Sequence, residues 1–279
     1  MIQLDAHNPT RLQNARGIVR GLGSVLVAYS GGVDSTLLLR LAMDELGEGA
    51  VGVLASSPAY PESEQEAARS LARSMGARLV EVTTSEVELE AYARNHPDRC
   101  FHCKEELFDT LAPVQRGLGL AHLAYGATAD DAGDHRPGHA SAVRRGVRFP
   151  LLEAGMAKSE VRASARALGL PNWNKPSFAC LSSRIPHGTA VTVAALRQIE
   201  AAEASLKALG FTQVRVRHHG DVARIEVDPP EVARLIAQRQ QVVEAVRHAG
   251  YKFVAADLEG YSTGSLNRTW KPPKSRKSS

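Results

Sequence analysis

The stretch Val25-Leu26-Val27-Ala28-Tyr29-Ser30-Gly31-Gly32-Val33-Asp34-Ser35-Thr36 decides the fold. Its first five residues are apolar or aromatic, read as a buried strand, and run without a spacer into two glycines. Over residues 35–46 the apolar positions recur at helical spacing, so the unit is strand, loop, helix. Such a junction is a phosphate cradle. Gly31 and Gly32 let the backbone approach an oxyanion closely, and Ser30, Ser35 and Thr36 can add hydroxyl donors. The helix N-terminus contributes free N–H groups and the positive end of its dipole. The loop holds no lysine, so it is not a Walker A sequence.

Working outward, residues 24–29, 50–55, 78–82 and 121–125 read as strands, and 35–46 and 63–75 as helices. Alternation of this kind predicts an α/β fold with a doubly wound, parallel, Rossmann-like sheet whose ligands sit at the carboxyl ends of the strands. Between 171 and 188 the periodicity lapses into a connector carrying Pro171, Pro176, Pro186, Cys180, Ser182, Ser183 and Arg184. Beyond it, 193–209 and 231–248 read as helices and 213–217, 223–227 and 253–256 as strands, giving a small α+β domain. The expected organisation is a domain over 1–185 that includes the cysteine connector, a smaller domain over 186–268, and a disordered basic tail over 269–279.

The chain has 279 residues, 43% of them hydrophobic, enough for one large core and a second small one. No apolar run is long enough for a membrane helix, and residues 1–9 lack a signal pattern, so the expected location is the cytoplasm. The net charge of +4 comes from Lys271, Lys274, Arg276 and Lys277 in the tail, and the remaining body is neutral. A neutral body has no overall pull on nucleic acid, which counts against that partner.

The segment 125–138 follows the fourth strand and places Asp130, Asp131 and Asp134 within five positions, able to hold magnesium against phosphate oxygens. Three cysteines, an odd number, argue against a disulfide framework. Cys100 and Cys103 in Asp98-Arg99-Cys100-Phe101-His102-Cys103-Lys104 would share one helical face on a first turn capped by Asp98, while Cys180 lies in the connector. Three thiolates suit an iron–sulfur cluster with one open iron, or zinc if His102 or water completes the set. A redox pair and buried structural thiols remain equally open from spacing alone.

Ser-Gly-Gly-x-Asp-Ser after a strand resembles the loop of the PP-loop ATP pyrophosphatases, which split ATP into AMP and pyrophosphate. The resemblance implies that Ser30, Gly31, Gly32, Val33, Asp34, Ser35 and Thr36 hold pyrophosphate and that Asp34 helps place Mg2+. It also implies that Ala55 and Ser56 border adenine, with Gly126, Asp130 and Asp131 on the same crevice. More specific marks are Asp134-His135-Arg136-Pro137-Gly138, Leu170-Pro171-Asn172-Trp173-Asn174-Lys175, Ser182-Ser183-Arg184-Ile185-Pro186-His187-Gly188, Val214-Arg215-Val216-Arg217-His218 and the 260–267 segment. With these the chain resembles the LarE family of ATP-dependent sulfur transferases, which help build the nickel-pincer cofactor of lactate racemase.

That likeness implies a small anionic pyridinium dicarboxylate mononucleotide as substrate, adenylylated and then converted to thiocarboxylates, and a homo-oligomer. Ser183, Arg184, Arg215 and Arg217 become expected substrate ligands, and Glu203 and Glu226 candidates for a divalent metal. The family has two sulfur sources, a sacrificed connector cysteine or a 4Fe-4S cluster on three cysteines. Cys100, Cys103 and Cys180 resemble the second, with all three and Asp34 as the expected catalytic set. The competing readings are a tRNA-thiolating PP-loop enzyme, an ammonia-using ligase that would not need the thiols, and a sacrificial Cys180.

Overall fold

The computed structural model describes residues 9–131 and 137–262. Asp134, His135 and Arg136, most of the 260–267 segment and the tail over 269–279 lie outside the described residues. The chain forms two compact units, one of Met1–Glu86 with Asp98–Phe178, the other of Val87–Pro97 with Ala179–Ser279.

The first unit contains α1 (Pro9–Arg20), β1 (Val25–Tyr29), α2 (Val33–Leu46), β2 (Ala50–Ser56), α3 (Glu62–Ser74) and β3 (Leu79–Thr83). After α4 (Glu90–Ala93), which belongs to the second unit, it resumes with α5 (Arg99–Gly117), β4 (His122–Tyr125), α6 (Pro137–Arg144), α7 (Pro150–Glu153) and α8 (Lys158–Ala167). The strands form one sheet in the order β3-β2-β1-β4, parallel throughout. The expected α/β parallel sheet is what forms.

β1 is buried along its whole length because both sheet faces are covered. Val25, Val27 and Tyr29 join Leu12, Val19, Leu37, Leu41, Leu151 and Val161 in one core, whereas Leu26 and Ala28 join Val51, Val53, Phe108 and Leu111 in another. Alternate residues of a strand point to opposite faces, so one continuous apolar run serves both cores. The chain steps from β1 to β2 on one side and reaches β4 on the other. That reversal makes a crevice between the loops after β1 and β4, where α/β sheets bind ligands.

The second unit adds α9 (Val193–Ala208), β5 (Val214–His219), β6 (Val222–Val227), α10 (Val232–Ala237), α11 (Arg239–His248) and β7 (Phe253–Ala256). Its sheet runs β5-β6-β7, antiparallel then parallel. Val214, Val216, Ala223, Ile225 and Val227 pack with Ala202, Leu206, Val242 and Val246 of the helices. The opposite sheet face carries Arg215 across from Glu226 and Arg217 across from Arg224. The single helix expected over 231–248 is broken at Gln238, whose φ of −92° and ψ of 19° leave the helical region. No glycine or proline marks the break, and Leu235, Val242 and Val246 keep helical spacing across it. No helix among the described residues is long and apolar enough to cross a membrane.

Gly31 has φ +68°, and a Cβ there would stand 2.7 Å from the Ala68 Cβ of α3. Gly76 has φ +71°, and a Cβ there would meet nothing within 4 Å. Gly76→Ala should therefore cost about 1 kcal/mol of backbone strain in urea unfolding. Gly31→Ala should cost about 2–4 kcal/mol because overpacking adds to it. Equal costs would contradict the close approach of loop and helix.

Candidate functional site

The loop after β1 holds itself together. Ser35 Oγ receives the Ser30 N–H at 3.1 Å, lies 3.1 Å from Ser30 Oγ, and donates to the Gly32 carbonyl at 3.2 Å. Thr36 N–H donates to Gly32 O at 3.0 Å, which starts α2. Gly32 takes the N-cap position with no side-chain cap, and at that helix end N–H groups have no intrahelical acceptor. Val33 is core. The loop glycines and serines thus leave the first turn of α2 as the anion-binding end of a helix.

Asp34 stands on that first turn, half-buried, and Lys158 Nζ donates to its Oδ2. Its Oδ1 is buried with no hydrogen-bond partner among the described residues. Burial pushes the Asp34 carboxyl above its ordinary value of 3.8, and Lys158 pulls it partly back. Lys158 opens α8 and its backbone N–H donates to Asp130 Oδ2 at 2.5 Å. The cation missing from the loop is therefore brought in from a distant helix, a residue absent from the sequence-based site. Its one local signal is a lysine beginning a helix shortly after the acidic segment.

The β4 loop closes on the same helix end. A Cβ on Gly126 would lie 2.9 Å from Ser35 N and 3.0 Å from the Asp34 carbonyl carbon, so only glycine fits. Asp131 Oδ2 accepts from Thr128 N and Oγ1 at 2.9 and 3.0 Å, which shapes the turn. Ala55 and Ser56 end β2, half-buried, one strand away from β1. Behind the loop, Asn172 Nδ2 donates to Gly31 O at 3.1 Å and Thr36 Oγ1 at 3.0 Å, and Lys175 Nζ reaches Gly31 O at 3.5 Å. Tyr29, which bonds the Ala68 carbonyl at 3.0 Å, has its phenol pushed up to about 12 by burial.

None of the three cysteines is in a disulfide; Cys100 is exposed and Cys103 and Cys180 are half-buried. Cys100 and Cys103 lie one turn apart at the start of α5, as expected. Asp98 occupies the N-cap position, but its carboxylate makes no cap bond and instead sits 3.4 Å from His102 Nε2. Lys104 Nζ donates to Tyr125 OH at 2.8 Å and lies 4.2 Å from that ring's centre. Burial works against its ammonium, but Tyr125, Cys103 and Cys100 outweigh it and raise the Lys104 pKa. Among the described residues no group of three or more His, Cys, Asp or Glu is placed to hold a metal ion. Cys100 and Cys103 belong to the first unit and Cys180 to the second.

In the second unit the predicted charges meet one another. Arg184 is wholly buried and forms a two-pronged pair with Glu203, Nε to Oε1 at 2.9 Å and Nη2 to Oε2 at 3.1 Å. Glu226 is taken by Arg217 at 2.5 Å and Arg224 at 3.0 Å. Glu203 and Glu226, expected as metal candidates, are thus each held by arginine. Arg215 stacks over the Tyr261 ring at 5.4 Å and donates to the Val214 carbonyl at 2.9 Å. Burial, then the neighbouring Arg184, lower its pKa. Ser183 accepts from Arg184 on its Oγ and from Arg217 on its carbonyl. Tyr92 and Asn95, which no motif in the sequence singles out, bond the connector: Tyr92 OH to Ser182 Oγ at 2.6 Å and Asn95 Nδ2 to the carbonyls of Ile185, Pro186 and Thr189.

A scan against family models matches none. An uncharacterized protein of Synechocystis sp. is 41% identical over 261 residues, covering 93% of this chain and 97% of that protein. The pyridinium-3,5-bisthiocarboxylic acid mononucleotide synthase of Lactiplantibacillus plantarum is 36% identical over 252 residues, 90% of this chain and 91% of the synthase. This chain belongs to the LarE family. A further uncharacterized protein, from Methanocaldococcus jannaschii, is 24% identical over 85% of this chain and 90% of its own length. The LarE match is long enough to span both compact units.

A carboxyl whose folded pKa is raised adds stability that is complete below its unfolded value and is lost as pH rises through the folded value. Asp34 is such a group, so Asp34→Asn should gain stability relative to this LarE-family wild type as pH climbs upward past 3.8. Urea unfolding of both proteins across the acid range measures this. A difference that stays flat with pH would show that the carboxylate is not desolvated.

Proposed function

We propose that the chain is an ATP-dependent sulfur transferase acting on a pyridinium dicarboxylate mononucleotide. The observation that carries this reading is the 36% identity, over nine-tenths of both chains, to a synthase whose name states that product. The first unit supports the nucleotide half of the reaction. A substrate carboxylate oxygen attacks the α-phosphorus of ATP, the bond to pyrophosphate breaks, and an acyl adenylate forms. In this reading Ser30, Ser35 and the first N–H groups of α2 would hold the departing phosphates, and Lys158 would supply the positive charge that the loop lacks. Asp34 Oδ1, buried with no hydrogen-bond partner among the described residues, is the oxygen that would help hold Mg2+, which when bound would neutralise phosphate charge.

The second half replaces oxygen by sulfur. A sulfide attacks the acyl carbon, the bond to AMP breaks, and AMP leaves with the substrate's former oxygen. Arg215 and Arg217, side by side on one face of β5, suit the substrate's anionic groups because guanidinium pairs with phosphate and carboxylate through planar, paired donors. Cys100, Cys103 and Cys180 are the proposed holders of a 4Fe-4S cluster. Such a cluster, when bound, would supply the sulfide. This assignment rests on three cysteines outside any disulfide, two of them one helical turn apart.

Two measurements test these halves. Pyrophosphate release should require both ATP and the pyridinium dicarboxylate, and Lys158→Met should slow it by about a hundredfold or more. Stimulation by tRNA and not by the dicarboxylate would favour the tRNA-thiolating reading instead. Protein purified without oxygen should contain iron and acid-labile sulfide that Cys100→Ser loses. Iron-free protein that resists reconstitution would reject the cluster and return the sulfur source to Cys180 itself.

A further inference from the structure

Arg184 spends every nitrogen of its guanidinium inside the protein. Nε and Nη2 go to the two oxygens of Glu203, and Nη1 donates to the carbonyls of Ala179 at 2.5 Å and Cys180 at 3.0 Å and to Ser183 Oγ at 3.0 Å. Arg184 is 0% exposed and Glu203 3%. With no exposed surface and five protein acceptors around it, the guanidinium is committed to the protein rather than to a soluble anion. Glu203 is equally committed, since its Oε1 also accepts the Val216 N–H at 3.0 Å. Val216 stands between Arg215 and Arg217, and Arg217 Nη1 donates to the Ser183 carbonyl at 3.1 Å. One unbroken chain of hydrogen bonds therefore runs from the backbone of Cys180 through Arg184 and Glu203 to the strand that carries the two arginines.

The other flank of the same turn is fixed from α4 and the residues after it. Tyr92, buried, holds Ser182, and Asn95, at φ +58°, donates its amide to three carbonyls of the segment that follows. A buried ion pair gives little net stability over a well-packed apolar pair of the same volume. What the pair does give is direction, because the planar fork allows one arrangement of the turn about it.

We infer that the buried Arg184–Glu203 pair is a positioning device for Cys180, fixing its backbone against the arginine-bearing strand β5. Arg184 and Glu203 act through Cys180, Arg215 and Arg217. The functional consequence rests on the proposed sulfur transfer, since displacement of about 1 Å between reacting groups can cost a hundredfold in rate. The positioning itself does not rest on that reaction.

The test is site-resolved alkylation by iodoacetamide of cluster-free full-length protein, followed by mass spectrometry, with Cys100 and Cys103 as internal references. In Arg184→Lys and in Glu203→Gln the Cys180 rate should change by about fivefold or more while the two reference rates stay within about twofold. Unchanged Cys180 rates, or three rates rising together, would overturn the inference. Should either single variant fail to fold, the paired change Arg184→Met with Glu203→Leu restores an apolar contact. In it the Cys180 rate should again shift alone, and a wild-type rate there would overturn the inference. Absence of sulfur transfer in the wild type would reject the proposed function and leave the alkylation result standing.

Discussion

A carboxylate on the first turn of a helix, half out of water, with one oxygen held by a lysine from another helix, is the constraint on which the crevice between the loops after β1 and β4 depends. The dipole of α2 favours Asp34 in that place, and desolvation opposes it. Lys158 resolves the conflict and, through its backbone N–H on Asp130, draws the loop after β4 toward the same point. Gly126 then lies so close to Ser35 that no side chain can separate the two loops. Asn172 and Lys175 brace the Gly31 carbonyl from behind. The parallel sheet sets the stage for this arrangement, because its strand order reverses at β1 and β4 and nowhere else.

The second unit solves a different problem with similar parts. Five charged side chains, Arg184, Glu203, Arg215, Arg217 and Glu226, are each less than a tenth exposed. Buried charges are tolerable only when paired and hydrogen-bonded, and here Arg184 and Arg217 pair with carboxylates while Arg215 stacks on Tyr261. The result is a charged lattice with fixed geometry beneath a connector that has no regular secondary structure of its own beyond a single short turn. Rigidity in an irregular segment has to come from side-chain bonds, and Asn95, Tyr92 and Arg184 supply them.

How far the sequence could be read follows from the range of each interaction. β1, its loop and α2 were legible because strand burial, glycine geometry and helix start are all local, and the structure begins β1 within one residue of expectation. The pairing of Arg215 and Arg217 on one face followed from strand alternation alone. Lys158 and Asn95 were not legible, nor were the partners of Asn172, because they meet across 124, 90 and 141 positions. Arg184 and Glu203 show a further limit. Residue type identifies a charge but does not say whether a ligand or another side chain answers it. The break at Gln238 escaped because an apolar stripe can continue across two helices as readily as along one.

The central claim is that a substrate carboxylate is activated at the loop after β1 and surrenders its oxygen to AMP before sulfur takes its place. The most direct measurement uses the pyridinium dicarboxylate with heavy oxygen in its carboxylates and follows the label by mass spectrometry after turnover with ATP and a sulfide source. Adenylylation predicts one heavy oxygen in the phosphate of each AMP formed and none in pyrophosphate. Label found in pyrophosphate, or AMP formed without it while sulfur enters the product, would contradict adenylylation of the carboxylate.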